Sequence, residues 1–232
     1  MIKFSILIPS RGRPKEFFNA CDALLTLAHK PDRVEIIGRI DSDDPAEVQY
    51  PVTSRIHILV GPRYLGYAEN HRLIEAAASH SVGSYLMQYV DTAQMITPEW
   101  DRIYEEEIQG NNICVVASHV IDDDGKPLFP WSFPLIPRKL YELAGEFCLG
   151  KNPSVDRCWE AFAQEMDCGI YTPVHIIHRE KRGTKNEDRT AAETQPFYTE
   201  LQNNWEARSI EFRIIAKHYG DKVRWAIEDK PL

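Results

Sequence analysis

The 232 residues are 43% hydrophobic, 10% aromatic and 27% charged, a make-up that buries a core and excludes a disordered, collagen-like or coiled-coil chain. Acidic residues (35) outnumber basic ones (27), so the formal net charge of −8 disfavours a broad nucleic-acid-gripping face while leaving room for a local basic groove. No run approaches the roughly 18 apolar residues of a membrane span, the start does not read as a secretory signal, and five scattered cysteines without a CxxC pair imply free thiols in a cytoplasmic setting.

Residues 3–9 are apolar at nearly every position and are stopped by proline, which predicts a buried strand, and Ser10-Arg11-Gly12-Arg13-Pro14 is a loop. Residues 15–29 carry Phe17, Phe18, Cys21, Leu24, Leu25 and Ala28 at helical spacing. A second strand over 34–40 runs into Asp41-Ser42-Asp43-Asp44-Pro45, a third over 56–60 ends at Gly61-Pro62, and a helix over 67–79 turns Leu73, Ile74 and Ala77 inward. A fourth strand over 84–90 stops at Asp91. This order predicts a mainly parallel sheet wrapped by helices, with ligands outside the carboxyl ends of its strands.

The second half is less regular. Helices are expected over 100–108, 138–149 and 155–166, strands over 113–120 and 174–178, and a surface loop or binding lip over 129–137. A C-terminal helix over 202–218 is expected to pack through Trp205, Ile210, Ile214 and Ile215. No linker marks a boundary, so residues 1–232 read as one domain: a nucleotide-sugar half (1–101), an acceptor half (102–180), and a charged loop with the last helix (181–232).

Three strand ends carrying carboxylates suit a nucleotide and a cation. Asp41 and Asp43 can accept from ribose hydroxyls or a base N–H. Asp91 can hold Mg²⁺ or Mn²⁺ on a diphosphate, and Arg11, Arg13 and Arg63 can add phosphate contacts. The same acids also read as ordinary turn formers.

Here the residues resemble a family. Ser5 through Pro14, Ile36 to Asp44, Gly61-Pro62-Arg63 through Gly66-Tyr67 and Asn70, and Gly83 to Asp91 followed by Pro98-Glu99-Trp100-Asp101 are similar to family 2-type glycosyltransferases of the GT-A fold. The likeness spans about residues 1–180 and is strongest over 1–101. It implies a Rossmann-like sheet with a small helical extension, and transfer from a nucleotide-diphosphate sugar such as a UDP-sugar to an acceptor hydroxyl. The stereochemistry implied is inverting, with Mn²⁺ or Mg²⁺ assisting. The acceptor implied is a glycan, a small molecule or, by analogy with phage enzymes, a hydroxylated DNA base. Pro9, Ser10, Tyr67 and Asn70 fall in the nucleotide-binding segments, and His178 matches a late metal-ligating histidine. Gly145-Glu146-Phe147 resembles the segment before the catalytic base, which makes Asp156 the matching acid and Glu146 the second candidate.

Each of these has a plainer reading: His178 as a half-buried strand-end residue, and Asp156 as an acid in the first turn of a helix capped by Ser154. One departure stands out, because the acidic run usual at the metal strand reads Asp91-Thr92-Ala93. Asp91 then serves with His178 and the diphosphate, or metal dependence is weak, or the chain is a non-catalytic sugar- or nucleotide-binding relative. A sugar nucleotidyltransferase is the remaining alternative, although the first loop carries only one glycine.

Overall fold

Strands covered on both faces need apolar residues at consecutive positions, and the first two strands have them. The computed structural model describes residues 1–63, 69–152, 154–179 and 205–228. Among these, the strands are β1 (Phe4–Pro9), β2 (Val34–Asp41), β3 (Ile56–Gly61), β4 (Tyr85–Gln88), β5 (Ala93–Met95), β6 (Val115–Ile121), β7 (Leu135–Pro137) and β8 (Gly169–His178). The helices are α1 (Pro14–Thr26), α2 (Glu69–His80), α3 (Trp100–Ile108), α4 (Arg138–Ala144), α5 (Val155–Met166) and α6 (Trp205–Glu228).

All eight strands form one sheet in the order β3-β2-β1-β4-β7-β6-β8-β5. β3, β2, β1 and β4 are mutually parallel, β7 lies antiparallel between β4 and β6, β8 runs parallel to β6, and β5 closes the far edge antiparallel to β8. The carboxyl ends of β1, β2, β4, β6 and β8 therefore share one edge.

Alternation divides the core in two. Phe4, Ile6 and Ile8 of β1 and Ile36 and Ile40 of β2 pack toward α1 and α3, where Phe4, Tyr85, Trp100 and Tyr104 make an aromatic cluster. Leu7, Ile37, Leu86, Val115 and Ala117 face α2, α4, α5 and α6 on the other side. α1 begins with proline in its first turn, where the missing N–H costs nothing, and it lies close on β2. A Cβ at Gly38 would stand 2.7 Å from both Phe17 Cζ and Ile58 Cδ1. Gly38→Ala is therefore expected to destabilise the fold by about 1–3 kcal/mol, measured by urea unfolding.

Several elements depart from the sequence expectations. Residues 129–137, expected at the surface, bury Trp131, Phe133, Leu135 and Ile136, because β7 is an interior strand. Phe18, expected inward, is half exposed. In α6 the buried described residues are Phe212, Ala216, Gly220 and Val223, while Ile210 and Ile214 face outward and Trp205 has no described side chain. Apolar residues occur all round that helix, and the groove against α5 and α4 selects a different stripe. β8 starts five residues earlier than expected, with a register irregularity against β6 between Ala117 and His119.

Candidate functional site

The loop after β1 is braced against the acidic loop after β2. Gly12 adopts φ +65, a left-handed conformation that glycine takes without strain, and its N–H donates to Asp44 Oδ2 at 2.8 Å. Asp44 also accepts from the Ala46 N–H (2.8 Å) and the Tyr50 hydroxyl (3.1 Å). The Tyr50 oxygen lies 3.2 Å from Ser10 Oγ and accepts from the Arg13 N–H at 3.3 Å. Asp44 and Tyr50 thus fix the loop, a role the sequence reading did not give them. The Asx turn made by Asp44 with Ala46 was the signal available for it.

On this brace the expected nucleotide residues converge. Pro9 ends β1 and pairs in register with Arg39, and the Ser10 N–H donates to the Arg39 carbonyl. Arg11 Nη1 donates to Asp41 Oδ2 (3.0 Å) and Asp43 Oδ1 (2.6 Å), and Arg63 Nη1 lies 3.6 Å from Asp43 Oδ2. Arg39, buried in β2, donates to the carbonyls of Ile40 and Pro62 and stands 3.6 Å from Asp41 Oδ1. Asp41 Oδ1 is itself buried and accepts no hydrogen bond among the described residues.

Burial pushes the Asp41 carboxyl above its ordinary value, against the pull of Arg11 and Arg39. The Arg11 hydrogen bond holds exposed Asp43 below it. Burial opposes the charge on Arg11, yet its bonds to Asp43 and Asp41 leave it more firmly protonated.

Asp91 follows β4 and is buried. Its Oδ2 accepts from Ser10 Oγ at 2.6 Å and pairs with Arg13 Nε at 3.0 Å. Burial raises its pKa, with Arg13 and Ser10 pulling the other way. Two residues on, Ala93 opens β5 and pairs with His178 at the end of β8, while the Arg179 N–H donates to the Thr92 carbonyl. The Asp91 turn and His178 are thereby neighbours, and the His178 ring packs edge-on against Phe133 at 5.4 Å.

These residues test the expected divalent cation. Asp91 already meets a hydroxyl and a guanidinium on one oxygen, and Ala93 offers no side-chain oxygen. A cation bound at Asp91 would share the carboxylate with a positive charge about 3 Å away, a repulsion of several kcal/mol at a partly buried site. At Asp91 Oδ2 the described groups disfavour a divalent ion.

Asp156 occupies the first turn of α5, and Ser154 makes no side-chain cap there. Two residues separate α5 from β8, so the helix runs back along the sheet. Arg157, at its start, lies 3.4 Å over the Phe129 ring, next to the segment bonded to the end of β6. Near its far end, Ala163 approaches Gly169, where β8 begins. The Asp156 end of α5 is thus on the sheet edge that carries Asp41 and Asp91. Half-buried there, the Asp156 carboxyl is pushed up to about 6 by desolvation, although it accepts backbone N–H groups.

Glu146 lies elsewhere in role: its Oε1 accepts from the Gly150 N–H (2.9 Å) and from the Tyr219 hydroxyl, tying α6 to the turn after α4. Glu75 of α2, not singled out in the sequence, accepts from the N–H groups of Phe147 (2.8 Å) and Cys148 (3.0 Å). Tyr67 and the charged stretch from residue 180 lie outside the described residues, and of Asn70 only the backbone, in the first turn of α2, is described.

With this geometry in hand, solved structures supply the comparison. The S. aureus TarS 1–349 crystal structure matches with TM-score 0.61 and 9% identity, covering 77% of this chain and 60% of that one. The same protein in complex with UDP gives 0.59 at 9%, covering 77% and 60%; in complex with UDP-GlcNAc it gives 0.61 at 10%, covering 81% and 61%. The chain has a GT-A-like glycosyltransferase fold. It spans about three-fifths of the length of those structures. No protein-family model and no curated protein matches it in sequence. Among the described residues no helix is long and apolar enough to cross a membrane.

Proposed function

We propose that this chain transfers a sugar from a nucleoside-diphosphate donor to an acceptor hydroxyl. The observation that carries the reading is the paired set of carboxylates and guanidiniums, Asp41, Asp43 and Asp91 with Arg11, Arg13 and Arg63, at the carboxyl ends of β1, β2, β3 and β4. That edge is where an open α/β sheet takes its ligand. TarS structures of the same fold include complexes with UDP and UDP-GlcNAc, which supports a uridine donor.

An arriving diphosphate competes with the acids for the Arg11 and Arg63 guanidiniums, whose forked donors suit phosphate oxygens. The carboxylates it displaces are then available to the nucleoside. Asp41 Oδ1, buried without a hydrogen-bond partner among the described residues, gains a donor from a base N–H or a ribose hydroxyl, which relieves an unfavourable burial.

Asp156 is the base. In an inverting displacement the acceptor oxygen attacks the anomeric carbon while the bond from that carbon to the β-phosphate oxygen breaks. The bonding pair leaves with the nucleoside diphosphate, and the acceptor proton passes to the Asp156 carboxylate. A carboxylate with a pKa of about 6 is charged at neutral pH, yet more basic than an ordinary aspartate.

The test is protection against thermal unfolding by a panel of nucleotide sugars, UDP-GlcNAc included. A ligand at a hundredfold excess over Kd adds about 2.7 kcal/mol of stability. One donor is expected to raise the midpoint, and Asp41→Ala to cut that rise by more than half. A flat response to every donor would sink the reading.

A further inference from the structure

We propose that Arg13 takes the place of a divalent cation at Asp91, so that the donor's diphosphate is met by guanidinium groups and binds without metal. This rests on the nucleotide-sugar reading above and goes beyond it, by assigning the positive charge at the leaving group.

Three observations carry it. First, the Arg13 backbone is held on the brace: its N–H is bonded to Tyr50, which in turn holds Asp44. Second, its Nε lies 3.0 Å from Asp91 Oδ2, the oxygen that also takes the Ser10 hydroxyl. A cation bound to this oxygen would have to displace both. The side chain of Arg13 is partly exposed at 37% whereas that of Asp91 is 1% exposed, so the guanidinium sits between the buried carboxylate and the open side of the site. Third, the residue two beyond Asp91 is Ala93, buried in the β5–β8 pairing opposite His178, with no side-chain atom to offer a metal.

The chemistry is suited to the substitution. A guanidinium held beside a carboxylate by charge at its Nε, without a hydrogen bond there, keeps its Nη donors for phosphate oxygens. Fixed positive charge aimed at a developing phosphate charge supplies part of the stabilisation a bound divalent ion would give, with no reorganisation at the moment of transfer. The diphosphate carries that charge when the bond from the anomeric carbon breaks and its electron pair passes to the β-phosphate oxygen.

Calorimetric titration of the full chain with UDP, GDP, ADP and CDP, in EDTA and in millimolar MnCl₂, tests this. The expected result is one nucleotide binding with affinities within about threefold in the two buffers, and no protein-bound manganese signal by electron paramagnetic resonance in the complex. Arg13→Gln is expected to weaken that binding in EDTA by about tenfold or more, with no recovery on adding manganese, and Arg13→Lys to fall between.

Because Arg13→Gln leaves Asp91 without its cation, the double variant Arg13→Gln/Asp91→Asn removes both charges. It should fold and still bind weakly. Binding that requires manganese, or an Arg13→Gln chain with undiminished affinity, would overturn the proposal while leaving the donor reading standing. Failure of every nucleotide in both buffers would overturn the two together.

Discussion

Asp156→Asn should lower kcat by a factor of about 10²–10⁴, the usual contribution of a positioned general base, and leave the donor-induced rise in unfolding midpoint unchanged. The base must be ionised to accept a proton. Wild-type kcat is therefore expected to climb with pH through about 6 and level off above it, and the variant to lose that limb. A pH profile that keeps the limb in Asp156→Asn would remove Asp156 from the chemistry.

The same substitution is expected to stabilise the protein. Desolvation raises the folded-state pKa of Asp156 above that of the unfolded chain, so folding favours the protonated form. The stability this gives is complete below the unfolded value of about 4 and is lost as pH rises through about 6. At neutral pH the charged carboxylate weighs against folding, and an amide relieves on the order of 1–2 kcal/mol. Urea unfolding at pH 7 and at pH 3 should show a more stable variant only at the higher pH. Higher stability joined to lower turnover is what a strained catalytic group gives, and a merely structural acid does not.

The second large effect lies at the opposite edge of the sheet. Glu35 of β2 is buried, and its Oε1 accepts from Ser5 Oγ, the Val82 N–H (2.7 Å) and the Gly83 N–H (3.2 Å). One carboxylate thus holds β1, β2 and the turn that feeds β4. Glu35→Ala removes the acceptor shared by the Ser5 hydroxyl and the Val82 N–H, leaves the Gly83 N–H only Ser5 Oγ, and is expected to cost about 2–3 kcal/mol, read from the shift in urea midpoint. Glu35→Gln keeps the volume and one acceptor oxygen and should cost less. Equal losses for the two would show that packing, not hydrogen bonding, holds this corner.

Sequence patterning located most of the sheet because strands buried on both faces leave long apolar runs. Residues 4–9, 34–41 and 56–61 are found where those runs predicted them, and α3 and α5 keep their expected limits. β5 and β7 were invisible because three residues carry no period, and β7 earns its burial only from the strands either side of it. The same local logic brought Ser10, Arg11, Arg13, Asp41, Asp43, Arg63 and Asp91 into view, since loops after parallel strands must converge on one edge.

Pairing within that edge was not legible. Which guanidinium meets which carboxylate depends on the tilt of neighbouring loops, and the Arg13–Asp91 contact reverses the electrostatics expected of Asp91. Tyr50 and Arg39 escaped notice, and Asp44 was read only as part of the acidic turn, for a related reason. They act on the backbone of segments distant in sequence, which no local spacing encodes.

The order in which the chain fills its sheet has a consequence for how the protein comes into being. β5 leaves β4 directly after Asp91 yet, among the described residues, pairs only with β8, which starts at Gly169. The centre of the sheet likewise waits for β7 at Leu135. Pairings that span so many residues form late, after the entropy of closing the long loops between them has been met. During synthesis the first four strands can assemble early, but the far side of the Asp91 turn is anchored only when β8 docks and the Arg179 N–H reaches Thr92. A nascent or truncated chain ending before residue 169 would therefore hold a recognisable half-sheet with the Asp91 turn unanchored on its far side.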